Sequence, residues 1–113
     1  MSSERNTSIY LQDIITCCNK IQRYVGDISY SSFIANELLV DAVLRNLELI
    51  GEAVKQISPE LRAAHDNIEW RKIAGLRDIL IHEYFGIDHE IVWDVIKNKL
   101  PKLKKDIEQL LPE

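Results

Sequence analysis

Arg77, Asp78, His82 and Tyr84 stand within one short stretch, R-D-I-L-I-H-E-Y, and each is a residue type that performs or orients polar chemistry. A guanidinium offers planar N–H donors that match phosphate oxygens. Imidazole exchanges its proton near neutral pH and so serves as general base or acid. A carboxylate beside an imidazole can fix its orientation. Between Asp78 and His82 lie only Ile79, Leu80 and Ile81, so the polar groups sit on an element otherwise suited to burial. A buried Arg or His without a partner leaves a costly desolvated group. The stretch therefore holds either a polar network or a site.

Helical geometry narrows the choice. At about 100° per residue, Arg77 and Tyr84 lie two turns apart on nearly the same face, and Asp78 and His82 share a stripe. His82 stands about 140° from Arg77. One ideal helix does not gather all three. Convergence requires a helix that distorts or ends near His82, or a second copy of the motif across a two-fold axis. The spacing predicts a symmetric dimer with both motif helices at its interface. Periodicity alone also admits a structural account. In it His82 is a hydrogen-bonded core residue, Tyr84 packs beside Phe85, and Arg77 pairs with Asp78, Glu83 or Glu48.

The elements that must position these residues all read as helices. Leu11, Ile14, Ile15, Cys18, Ile21 and Val25 recur at spacings of three and four, giving a helix capped by Thr7 or Ser8 and stopped by Gly26. A second helical pattern runs from Ser32 to Ile57, with a break expected near Asn36 and a cap at Ser29 or Ser31. Its core face is Leu39, Val43, Leu47, Ile50, Val54 and Ile57. Ala42, Gly51 and Ala53 are small enough to let another helix approach closely. Ser58-Pro59 ends the pattern, and a helical turn follows from Pro59 to His65. The motif helix starts between Asn67 and Trp70 and runs toward Gly86, with Trp70, Ile73, Ala74, Leu76, Leu80 and Ile81 apolar. Asp88 caps a last helix carrying Ile91, Val92, Val95, Ile96 and Leu100. Pro101 should break or kink it before Leu103, Ile107, Leu110 and Leu111 resume the stripe. No stretch alternates with period two, so the reading is an all-α, up-and-down bundle of four to five helices in one domain, 1–113.

Composition excludes several classes. With 46% hydrophobic and 28% charged residues the chain reads as an ordinary globular domain. No apolar run approaches the roughly 20 residues of a membrane span, and the polar start M-S-S-E-R-N-T-S does not resemble a signal peptide. A cytoplasmic location without membrane contact is expected. Cys17 and Cys18 are adjacent on a helix, where neighbours do not normally bridge, and no Cys/His spacing suits a zinc site. No metal or other cofactor is expected. A net charge of −4 argues against a surface that grips nucleic acid everywhere, though not against a local basic cleft. The run Lys97, Lys99, Lys102, Lys104 and Lys105 reads as a solvated helix face.

The motif is similar to R-x-x-x-x-H-x-Y of the HEPN superfamily, and the chain most resembles its HepT branch. The blocks D-A-V-L-R-N-L-E-L-I-G-E-A from Asp41 and W-R-K-I-A-G-L-R from Trp70 extend the resemblance over essentially the whole chain. The resemblance implies a metal-independent ribonuclease toxin, working as a homodimer on RNA with its site between protomers. It implies that Arg77 and His82 are catalytic, with Asp78 in support. It also implies a cognate minimal nucleotidyltransferase that transfers AMP to Tyr84 and so inactivates the cleft. Arg45, Asn46 and Glu48 belong to the first block and are candidates for lining that cleft. Arg45 and Glu48 also fit an intrahelical salt bridge. The alternative is a binding module, in which the same fold holds a nucleotide or RNA without cleaving it and docks the nucleotidyltransferase.

Overall fold

The computed structural model describes the backbone of residues 3–82 and 86–111 and the side chains of residues 7–80 and 86–111. The first helix, α1, spans Ser3–Val25. Its expected stripe is buried in full: Leu11, Ile14, Ile15, Cys18, Ile21 and Val25 all lie in the core. Thr7 and Ser8 do not cap it, because the helix already begins at Ser3. Extending an established helix by a turn is far easier than nucleating one, and no Gly or Pro interrupts Ser3 to Asn6. At its other end Gly26 takes φ +54°. That is a left-handed conformation open to glycine without steric cost, and it stops the helix there.

Ser29 caps α2, Tyr30–Ala35, by accepting the Ser32 N–H. Asn36 then ends α2 and caps α3, Glu37–Lys55, accepting the Leu39 N–H at 3.1 Å. The break expected near Asn36 is thus a shared cap. Ser58 caps the short α4, Pro59–Ala64, with Pro59 in the first turn, where its missing N–H costs nothing. Arg62 turns back to donate to the Ile57 and Lys55 carbonyls, at 3.1 and 3.2 Å, and so closes the C-terminal end of α3. The motif helix is α5, Trp70–His82. Trp70 is buried and its indole N–H donates to the His65 carbonyl at 2.9 Å, which fixes the start of the helix.

Asp88 caps α6, His89–Asp94. A π-helical turn, Val95–Lys99, leads directly into α7, Leu100–Glu108. Pro101 therefore does not break the rod. The wider π turn accommodates a ring that would clash with the carbonyl four residues back in a regular helix, and Pro101 falls in the first turn of α7. Within this rod Ile91 is 61% exposed, against expectation. The inward face is set by Val92, Trp93 and Ile96. Trp93 packs on Tyr30 and Phe33 at ring-centroid distances of 5.8 and 5.2 Å, and Ile91 falls outside that arc.

The long rods α1, α3, α5 and α6–α7 form the all-α bundle, and the remaining helices are short connectors. Packing centres on α3, which lies between α1 and α5, while α7 returns to cover α1. The lysine run lies on an exposed helix face, as expected, with some of its members in surface contacts. Lys102 pairs with Asp106 at 2.8 Å, and Lys97 sits 4.8 Å above the Trp93 ring. Among the described residues no helix is long and apolar enough to cross a membrane.

Candidate functional site

The site is built where α5 crosses α3. A β-carbon placed on Gly51 would stand 2.7 Å from Arg77 Cβ, 3.0 Å from the Ile73 carbonyl oxygen and 3.1 Å from the Arg77 nitrogen. Only a glycine lets the two backbones come this close. The contact fixes Arg77 at the edge of the core, its side chain 32% exposed.

From that seat the guanidinium reaches a small charged cluster. Arg77 Nη1 lies 3.6 Å from Asp78 Oδ1, an ionic contact too long for a hydrogen bond. Lys55 Nζ donates to the same Asp78 Oδ1 at 2.7 Å. Arg77 Nε is buried and has no hydrogen-bond partner among the described residues. A buried charged donor with no acceptor is expensive to leave unmade.

His82 is the last described residue of α5 and stands one helical turn beyond Asp78. Its side chain, and Tyr84 altogether, lie outside the described residues, as does the Gly86-directed end expected for this helix. The ion pair expected for Arg77 is made with Asp78 rather than Glu48. Glu48 instead accepts from Arg45 at 3.1 Å, three residues earlier on α3. Asn46 is buried, and its side-chain amide donates to the Ala42 carbonyl one turn back at 2.9 Å. None of these three side chains makes an ion pair or hydrogen bond with Arg77 or Asp78 among the described residues.

Lys55 is the member of the cluster that motif spacing overlooked. Its position was legible: it falls one turn after Gly51 and so on the same face of α3, opposite α5. A cavity of about 540 Å³ lies elsewhere, between α5 and the C-terminal rod, and includes neither Arg77 nor Asp78. Two of its rim lysines, Lys72 and Lys102, already pair with Glu69 and Asp106.

Comparison with known proteins agrees with the resemblance. The family described as Ribonuclease HepT-like matches residues 14–110. "Putative RNase MJ1380" of Methanocaldococcus jannaschii is 42% identical, over 94% of this chain and 97% of its own length. "Putative RNase TTE0752" of Caldanaerobacter subterraneus subsp. tengcongensis is 41% identical, over 90% of this chain and 91% of its own. "Probable ribonuclease HepT" of Thermococcus cleftensis is 37% identical, over 95% of this chain and 97% of its own. No solved structure matches the chain. A match across residues 14–110, joined to an all-α bundle that seats the motif arginine on a glycine, places the chain in the HepT-like ribonuclease family.

Proposed function

We propose that this protein is a metal-independent endoribonuclease that acts as a homodimer in the cytoplasm. The observation that carries the reading is the core-anchored guanidinium of Arg77, held by Asp78 at ionic rather than hydrogen-bonding distance, one turn and a fraction before His82 in a HepT-like chain. Arg77 binds the scissile phosphate and offsets the charge that builds on its oxygens. His82 removes the proton of the ribose 2′-hydroxyl, whose oxygen attacks phosphorus while the 5′-oxygen leaves and takes up a proton. Asp78 supports the orientation of His82. The products are a 2′,3′-cyclic phosphate and a 5′-hydroxyl.

Two-fold pairing through α5 is supported by the surface that helix offers. Gly75 has open space around its α-carbon, and Ile79 is 50% exposed. Both fall within about 60° of His82 around the helix. A second copy seated there would bring its own Arg77 and His82 to the same cleft, while the buried Asn46, bonded to the Ala42 carbonyl, is left to packing within α3.

Control by a partner nucleotidyltransferase completes the reading, as a toxin and its antitoxin. AMP attached to Tyr84 would put bulk and negative charge into a cleft that receives RNA phosphate. Incubation with that partner and ATP should add AMP mass to the protein but not to a Tyr84→Phe variant; equal addition to both would remove Tyr84 from the account.

The test of the reaction is its end groups. RNA cut by the purified protein in excess EDTA should carry 2′,3′-cyclic phosphate and 5′-hydroxyl ends. Products with 5′-phosphate ends would show a water-mediated route and overturn the proposed chemistry.

A further inference from the structure

Lys55 lies outside the motif, yet its ammonium makes the shortest contact in the Arg77 cluster, 2.7 Å to Asp78 Oδ1. The same carboxylate oxygen stands 3.6 Å from Arg77 Nη1. We infer that Lys55 is a positioning residue that holds Asp78 and thereby keeps Arg77 free, and the cluster net positive, for RNA phosphate. This inference rests on the ribonuclease reading above.

Lys55 and Arg77 contribute two positive charges and Asp78 one negative, which leaves +1 for the cluster. Without Lys55 the sum is zero. A carboxylate next in sequence to an arginine is its natural partner, and a bidentate Arg–carboxylate pair is among the stronger side-chain contacts. Asp78 would then compete with phosphate for the guanidinium. With Lys55 in place, the carboxylate bonds at close range to the ammonium and holds Arg77 only loosely.

Lys55 is well fixed for this task. Its carbonyl accepts from Arg62 Nη2 at 3.2 Å, so its backbone is held at the closed end of α3. It lies one turn past Gly51, the residue that seats Arg77, so the same helix face sets both ends of the cluster. As a source of stability the pair counts for little: the Lys55 and Asp78 side chains are 35% and 52% exposed, so solvent screens their attraction. A Lys55 variant should therefore fold, and its effect should appear in phosphate binding.

The test is binding of single-stranded 2′-O-methyl RNA, which cannot be cleaved, to the full-length protein at pH 8 with Tyr84 shown unmodified by mass. Affinity is measured against salt concentration. Lys55→Met should bind roughly tenfold more weakly at low salt, with the slope of log affinity against log salt smaller by about 0.7. Lys55→Arg should restore both. The decisive variant is Lys55→Met/Asp78→Asn, in which removing the negative charge brings the cluster back to +1. It should recover wild-type affinity and slope. A double variant as weak as Lys55→Met would show that Lys55 contacts phosphate itself, and would overturn the positioning role. A Lys55→Met variant equal to wild type would overturn the inference altogether. Wild-type protein that binds this RNA without cleaving ordinary RNA would defeat the nuclease reading alone and leave the Lys55 comparison intact. Wild-type protein that binds none would overturn both.

Discussion

Gly51 and Arg77 meet at a point where the helices leave no room for one methyl group: a β-carbon on Gly51 would lie 2.7 Å from Arg77 Cβ. The neighbours are backbone and the stem of a side chain, not a flexible tip, so they cannot step aside cheaply. Gly51→Ala adds overpacking of about 1–3 kcal/mol. It regains about 1 kcal/mol of helix propensity. The expected net is a loss of up to about 2 kcal/mol, seen as a lower urea midpoint with the slope unchanged. RNA cleavage should fall further than stability, since Arg77 moves with the displaced helix. A midpoint equal to or above that of the parent would contradict this packing.

Pairing through α5 makes a prediction that a monomeric site does not. Arg77→Ala and His82→Ala homodimers should each be inactive. Unfolded together and refolded as a mixture, they form some heterodimers that retain one Arg77 and one His82 in the shared cleft. Cleavage should reappear in the mixture. A mixture as inactive as either parent, with heterodimers verified by mass, would place Arg77 and His82 of a single chain in each site.

The core makes a separate prediction about alkaline pH. Burial, reinforced by neighbouring Cys17, pushes the Cys18 thiol up to about 12. Cys18 also lies fully inside the core. Above about pH 9 the unfolded chain releases this proton while the folded chain keeps it, so stability falls as pH rises toward 12. The unfolding free energy should drop up to about 1.4 kcal/mol per pH unit more steeply than in Cys18→Ala. Parallel slopes for the two proteins would show that Cys18 does not carry the effect. Below pH 9 the native thiol should resist alkylation.

How much of this was readable in advance depended on how local the physics was. The α1 stripe, the caps at Ser29 and Asp88, the break at Asn36, and the stops at Gly26 and Ser58-Pro59 are set by neighbours a few residues away, and the sequence shows them. Where tertiary packing decides, it does not. Ile91 fits the apolar period but falls outside the arc set by Trp93 against α2, and Pro101 is absorbed by a π turn that no local signal announced. At the site, the ion pair of Arg77 with Asp78 was among the foreseeable partners because the two are adjacent. Lys55 was missed because its tie to Asp78 spans 23 positions and depends on how closely α3 and α5 approach. Gly51 was visible as a small residue, but which side chain it admits is a fact of the fold.

The central claim is that His82 and Arg77 cut RNA without a metal ion. It is tested most directly by incubating RNA in excess EDTA with the wild-type protein and with His82→Ala, Tyr84 being unmodified in both. The account predicts cleavage by the wild type and a loss of at least about a hundredfold in the variant, the usual contribution of a general acid–base group. Equal cleavage by both proteins, or cleavage by the wild type that EDTA abolishes, would contradict it.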